Sequence, residues 1–96
     1  MHAVIRRYSG PGASQLFDEL ERRSRDVEEI IRGVSGFRSY SLIRTDDGGI
    51  SVTVCRDRAG TEESTQRAAG WIRENFPNTA SPPDVTEGEV ILQLSP

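Results

Sequence analysis

The residues best suited to chemistry in this sequence are an indole, an amide and two serines. Trp71 and Asn75 are four positions apart, so on a helix they lie on one side. Ser39 and Ser41 alternate along a run of β-branched and aromatic residues, so on a strand they share one face. Small side chains facing a helix leave space, and an indole beside an amide suits a flat aromatic molecule. These residues predict a small-molecule pocket.

Each of these candidates also has a structural interpretation. The space beside the serines can instead be filled by Phe17, Phe76 or Trp71. Trp71 can edge a pocket, pack at a subunit boundary or cover the core. Arg6, on the first predicted strand, can meet an anionic group of a ligand or can extend its stem over apolar surface and pair with an acid.

Other chemistry is poorly supported by the sequence. His2 is the only histidine and Cys55 the only cysteine, so a zinc site of soft ligands is not expected. The acidic pair Asp46 and Asp47 is ordinary for a hairpin turn. The glycines in "GPG" and "DDGG" do not match a phosphate-binding loop. We therefore expect neither a metal nor a cofactor.

Composition restricts the class of protein. A chain of 96 residues is enough for one domain, which we expect to span residues 1–96. The net charge of −3, with acids among the 12 basic residues, argues against nucleic acid as a partner. No apolar run is long enough to span a membrane, and the first residues lack the apolar segment of a signal peptide. We expect a cytoplasmic protein.

The hydrophobic pattern predicts six elements. Leu16, Leu20, Val27 and Ile31 recur at helical spacing, and Ala68, Ile72 and Phe76 do so in a second region. The elements are a strand over 3–8, a helix over 14–34, strands over 37–45 and 50–56, a helix over 61–76 begun by Thr61, and a strand over 89–94. A β-α-β-β-α-β order predicts a ferredoxin-like α+β fold, with two helices on one face of a four-stranded antiparallel sheet.

The two faces of the central hairpin both carry apolar residues. A two-residue Asp-Gly or Gly-Gly turn in "TDDGGI" predicts which side chains share a face. The first face holds Phe37, Ser39, Ser41, Ile43, Ile50, Val52 and Val54. The second holds Tyr40, Leu42, Arg44, Ser51, Thr53 and Cys55. We expect the first, more apolar face to lie against the helices, and the second to be covered by another copy of the chain in a homodimer.

With this order of elements, the chain resembles the dimeric α+β barrel superfamily, and within it the antibiotic-biosynthesis-monooxygenase-like (ABM-like) domains. The resemblance rests on the layout, on "GFRSYSLIR" after the first helix, on the "DDGG" hairpin, and on "DRAGTEESTQRAAGWIREN" leading into the second helix. It covers nearly the whole chain and contains no catalytic signature.

The resemblance implies a ligand cavity between sheet and helices. The family includes cofactor-free oxygenases of aromatic polyketides and enzymes that degrade haem. The haem degraders use an Asn on the first strand, a Trp, and a His on the second helix. This sequence has no Asn within 3–8 and no His within 61–76, so haem degradation is disfavoured.

Two functions remain open from the sequence. One is a cofactor-independent monooxygenase acting on a small aromatic metabolite, with Arg6, Ser39, Ser41, Trp71 and Asn75 as candidate ligand-binding residues. The alternative is a non-catalytic dimeric module that binds a small molecule or serves a larger pathway. The absence of a convincing acid–base pair in the sequence favours the second, and the resemblance favours the first.

Overall fold

A four-stranded antiparallel sheet covered on one face by helices forms the structure. The computed structural model describes residues 1–77 and 81–96, and the elements named here belong to those residues. They are β1 His2–Ser9, α1 Ala13–Arg22, α2 Ser24–Arg32, β2 Phe37–Thr45, β3 Gly48–Cys55, α3 Arg58–Asn75 and β4 Asp84–Glu89. The strand order is β2-β3-β1-β4, which confirms the predicted ferredoxin-like α+β fold. No helix in this described part is long and apolar enough to cross a membrane.

The first predicted helix is divided in two. A single helix over 14–34 was expected, but Arg23 leaves helical geometry, with φ −107° and ψ 34°, between α1 and α2. The apolar stripes of the two segments remain aligned, and Leu20 and Val27 are both buried. The break therefore divides the helix while keeping the apolar stripes of both segments against one core.

The helix after the hairpin begins earlier than predicted. Asp57, rather than Thr61, caps α3, since its side chain accepts a hydrogen bond of 3.3 Å from the Gly60 N–H. Thr61 lies buried within the first turns, where its hydroxyl donates to the carbonyl of Arg58 at 3.0 Å. The helix ends at Asn75, just before Pro77, as the proline predicts.

The last strand lies elsewhere than predicted. The expected strand over 89–94 is wrong, because β4 is Asp84–Glu89 and the residues after it have no regular structure. Part of the predicted loop over 77–84, residues 78–80, lies outside the described residues. β4 pairs along β1 from Arg7 with Asp84 to His2 with Glu89. As an edge strand it is exposed at every position, so it does not need an alternating apolar pattern.

The hairpin turn is one position from the prediction. Thr45 pairs with Gly48, so the turn residues are Asp46 and Asp47 rather than Asp-Gly or Gly-Gly. The parity of pairing is the one predicted, and Tyr40 lies opposite Thr53. A register shift between Phe37 and Ser39 turns Phe37 to the other face, where it packs against the core.

The assignment of the two sheet faces was the wrong way round. Val4, Arg6, Tyr8, Ser51, Thr53 and Cys55 are buried on one face of the central strands, and Tyr40 and Leu42 lie on the same face, whereas Val54, at 7% exposure, is buried on the other. This face lies against the helices. The opposite face carries Ala3, Ile5, Ile43, Ile50, Val52 and Val54, and no helix of the described chain covers it. We call it the outer face.

Volume rather than hydrophobicity decides which face the helices cover. The ring of Phe17 on α1 lies directly over Gly49 of β3, where a Cβ would overlap it. Tyr8 packs against Phe17, with ring centroids 5.8 Å apart. On the helix-covered face, β3 carries the small residues Gly49, Ser51 and Thr53. They leave room for large side chains from the helices and neighbouring strands.

Adding a methyl group at Gly49 tests this packing. Gly49→Ala should lower the free energy of unfolding by about 1–3 kcal/mol, because the Phe17 ring must move to admit the Cβ. Gly88→Ala on β4 is the matched control, since nothing lies within 4 Å of a Cβ there. Urea denaturation measures both, and equal stability of the two variants would contradict the proposed contact.

Candidate functional site

Two cavities adjoin one buried arginine on the helix-covered face. The first, which we call the inner cavity, lies between the sheet and helices α2 and α3, and has a volume of about 30 Å³. It has room for a water molecule but not for an aromatic ring. The second, which we call the α3–β4 cleft, lies between α3, β1 and β4 and measures about 460 Å³. Arg6 and Tyr8 line both cavities.

Arg6 is a buried cation with no acidic partner. Its side chain points inward because β1 alternates, with Val4, Arg6 and Tyr8 buried between exposed neighbours. The residue is only 2% exposed. Nη1 donates to Thr65 Oγ1 at 3.0 Å and Nη2 to Thr53 Oγ1 at 3.4 Å. Both acceptors are neutral hydroxyls, and no carboxylate of the described residues pairs with the guanidinium.

Two buried polar atoms next to the inner cavity lack a hydrogen-bond partner among the described residues. They are Nε of Arg6 and Oγ of Ser51. These residues are direct neighbours across β1 and β3, and each is 2% exposed. Leaving a buried polar group without a partner costs about 1–3 kcal/mol, and more for a charged group. The site therefore has unused hydrogen-bonding capacity beside a positive charge.

The two tyrosines of the chain both lie near Arg6. Burial raises the pKa of Tyr8 and of Tyr40 above the usual 10.0. The positive charge of Arg6 and a hydrogen bond with it partly oppose this rise in pKa, and the effect of burial is larger. Both phenols consequently stay protonated at neutral pH and can donate a hydrogen bond.

Trp71 lines the inner cavity, but one face of its ring is already occupied. The guanidinium carbon of Arg23 lies 5.0 Å from the centre of the Trp71 ring, a cation–π arrangement. Phe76 packs edge-on against the same indole at 5.4 Å. A ligand that stacked on the covered face would have to displace Arg23.

Asn75 holds the end of α3 rather than facing a cavity. Its Nδ2 donates to the backbone carbonyl of Trp71 at 2.8 Å, and its Oδ1 accepts from Arg23 Nη1 at 3.1 Å. The amide thereby fixes the arginine that covers the indole. Asn75 lines neither of the two cavities.

Ser39 and Ser41 do not join the other candidates. They pair with Val54 and Val52 on the outer face, away from the helices. Of the five candidate residues, the structure brings Arg6 and Trp71 together at the inner cavity, with Asn75 beside Trp71. The single cleft expected between the serines and Trp71 does not form within one chain, because the sheet separates them.

Tyr8, Tyr40, Ser51 and Thr65 are cavity residues that sequence reasoning missed. Alternation along β1 was the available signal for Tyr8, since it is two residues from Arg6. The reversed sheet face concealed Tyr40 and Ser51, which the hairpin register had correctly placed on one face. Nothing in the spacing of α3 distinguished Thr65 from an exposed threonine.

His2 and Cys55 lie outside both cavities. His2 Nδ1 and Thr61 Oγ1 are 2.8 Å apart, so the imidazole joins β1 to α3. Cys55 is buried, and burial, followed by the charges of Asp57 and Glu63, raises the pKa of its thiol. Within residues 1–77 and 81–96 there is no cluster of three or more histidine, cysteine or acidic side chains that could hold a metal.

Comparison with solved structures identifies the fold. A protein of unknown function from Nitrosomonas europaea superposes with a TM-score of 0.71 at 17% identity, over 99% of this chain and 92% of that one. MhuD of Mycobacterium tuberculosis, a heme-degrader with two hemes in its active site, gives 0.69 at 18%, over 99% and 100%. SnoaB of Streptomyces nogalater, a cofactor-independent oxygenase, gives 0.67 at 14%, over 97% and 95%.

These structures define a class by fold alone. The chain has the fold of the ABM-like monooxygenase-fold proteins, as the sequence resemblance implied. No family model and no curated protein matches the sequence. Activity therefore has to be argued from the residues around Arg6.

The raised tyrosine pKa values predict a change in stability at high pH. The folded chain should hold its phenolic protons at pH 10.0, where the unfolded chain has lost about half of them. The resulting stability is fully present below pH 10 and is lost as the pH rises towards the folded-state values. Because the chain has two tyrosines, ultraviolet absorbance of tyrosinate measures only these residues.

Single variants separate the two groups. Tyr8→Phe and Tyr40→Phe should each remove half of the tyrosinate signal and weaken the fall in stability above pH 10. Identical titration curves for the folded and the urea-unfolded protein would contradict the protected state of the phenols.

Proposed function

We propose that this chain is a single ABM-like domain over residues 1–96 that acts as a cytoplasmic, homodimeric, cofactor-independent monooxygenase on a small aromatic metabolite. The observation that carries the proposal is the α3–β4 cleft. Its volume of about 460 Å³ lies in the range of about 300–1,000 Å³ that is typical of small-molecule sites.

The lining of the cleft suits a flat, largely apolar ligand. Leu16, Ile72, Phe76 and Val85 contribute apolar surface. The polar side chains of the lining are those of Arg6, Tyr8, Thr65, Arg73 and Ser81. Among them, Arg6 and Thr65 are joined by a hydrogen bond at one wall. A mostly apolar cleft with a few convergent polar groups holds a ring by burial and orients it by hydrogen bonds.

The fold that the chain shares with SnoaB supports an oxygenase. Such a reaction balances without a cofactor. The aromatic substrate supplies the electrons. With anthrone as an example, a CH₂ carbon becomes C=O with one oxygen atom of O₂, and the other atom leaves as water with the two hydrogens of that carbon.

The alternative is a non-catalytic binding module, and one observation favours it. No carboxylate or imidazole lines either cavity among the described residues. An oxygenase of this kind must generate a substrate anion, which is usually the task of a general base. A module that only binds its ligand has no such requirement.

Oxygen consumption distinguishes the two functions. Wild-type protein with anthrone or 1-naphthol, and no added cofactor, should consume one O₂ per substrate above the protein-free rate. Ala69→Phe places a ring in the cleft and should lower kcat/KM at least about tenfold, equivalent to about 1.4 kcal/mol.

Gln66→Phe is the matched control, because it adds the same ring to an exposed position on α3 outside the cleft. It should keep wild-type activity. Binding of these compounds without oxygen uptake would favour the module, and an equal loss in both variants would argue against the cleft as the site.

The proposed homodimer is supported by apolar surface that one chain leaves uncovered. On the outer face, Ile5 is 39% and Ile43 is 47% exposed. After β4, Ile91, Leu92 and Leu94 are all more than 70% exposed. Large apolar side chains exposed on a small chain favour association. A second copy that packed its own outer face against this one would cover the exposed side chains. The sheet-to-sheet contact of the dimer would then lie on the opposite face of the sheet from the one first predicted.

Sedimentation tests the assembly. The wild-type protein at micromolar concentration should sediment at twice the monomer mass of 10.6 kDa. Ile43→Asp on the outer face should produce monomers, because a carboxylate is costly to bury in an apolar interface. Gln15→Asp, on the exposed side of α1, should remain dimeric. A folded wild-type monomer would refute the proposal.

A further inference from the structure

The unpaired charge of Arg6 bears on which form of the ligand the cleft accepts. A buried guanidinium normally has a carboxylate partner, since the cost of removing a charge from water is several kcal/mol. Here its acceptors are the hydroxyls of Thr65 and Thr53, and it also forms hydrogen bonds with the two tyrosines. An arginine has five N–H donors, and the one on Nε is left without a partner among the described residues. A position retained at such a cost is suited to an external anion.

Tyr8 lies at the same place and has the matching donor. It is the other polar residue that lines both the inner cavity and the α3–β4 cleft. Its hydroxyl lies close enough to Arg6 for the guanidinium to affect its ionisation. Tyr40 is also near Arg6, but it lines the inner cavity and not the cleft. A ligand in the cleft therefore meets Arg6 and Tyr8 together, and the exposed Arg73 of α3 is a second cation in the lining.

We infer that Arg6 and Tyr8 form an oxyanion-binding pair, and that the ligand of the α3–β4 cleft is a phenol bound in its ionised form. The phenolate oxygen accepts hydrogen bonds from the guanidinium and from the Tyr8 hydroxyl, while the ring lies against the apolar wall. The inference rests on the ligand site of the proposed function and not on catalysis.

This pairing also explains how the site can operate without a base. A positive charge that binds the phenolate more tightly than the phenol lowers the pKa of the bound ligand. Ionisation then accompanies binding, and the phenolic proton passes to solvent. The electron-rich phenolate is the form of such a substrate that can supply electrons to O₂. The charge of Arg6 produces this form by shifting the ionisation equilibrium of the bound phenol, so no general base is required.

The test uses 4-nitrophenol, whose ionisation is visible by its colour, and 4-nitrotoluene, which has a similar shape but no ionisable oxygen. In wild-type protein the pKa of bound 4-nitrophenol should fall by at least about one unit, which equals a tenfold preference for the anion. Arg6→Met should abolish the preference and leave 4-nitrotoluene affinity within about twofold, a difference under 0.5 kcal/mol. Arg7→Met is the matched control, since Arg7 is adjacent on β1 and exposed on the outer face.

Tyr8→Phe keeps the ring and removes only the hydroxyl, so it provides a second variant if Arg6→Met does not fold. It should weaken the anion preference, whereas Tyr40→Phe should not. Either of two results would overturn the oxyanion pair while leaving the cleft as a ligand site. One is equal binding of the phenol and the phenolate by wild-type protein. The other is an unchanged anion preference in both single variants, Tyr8→Phe and Arg6→Met. Failure to bind either probe would overturn both the pair and the proposed cleft.

Discussion

The placement of one charge, the guanidinium of Arg6, governs the arrangement of the site. It lies at 2% exposure beneath α3, between two neutral hydroxyls and beside two tyrosines. A buried charge needs polar neighbours that can form hydrogen bonds with it. Thr53 on β3 and Thr65 on α3 meet this need, because their hydroxyls accept from the guanidinium. The apolar residues of α1 and α2 form the core on the other side of Tyr8.

The order of elements and the pairing parity were predictable from the sequence because they depend on local periodicity. Leu16, Leu20 and Ile31 mark the helical stripes, and any two-residue turn at that place puts Tyr40 on the same face as Thr53. The final strand was not predictable in this way. β4 is polar, and its position is fixed by pairing with β1, which is a long-range contact without a local signal.

The choice of sheet face shows where hydrophobicity alone fails. Ile50, Val52 and Val54 are more apolar than Ser51, Thr53 and Cys55, yet the helices cover the second set. What matters is the fit of Phe17 over Gly49 and the space that small side chains leave for Tyr8 and Tyr40. The reversed assignment of the two faces also decided which candidate residues lie at the cavities. Arg6 and Trp71 were chosen by residue type and line the inner cavity, whereas Ser39 and Ser41 were chosen through the wrong face.

The outer face and the site are linked by the same alternation. Along β1, Arg6 and Tyr8 face the cleft while Ile5 and Arg7 face away, so each strand contributes to both surfaces. In the proposed dimer, burial of the aliphatic outer face would hold the central strands rigid behind the oxyanion pair. A rigid strand is the better support for a group that must meet an anion at hydrogen-bond distance, because little entropy remains to be lost on binding. The aliphatic residues then matter to binding without contacting the ligand.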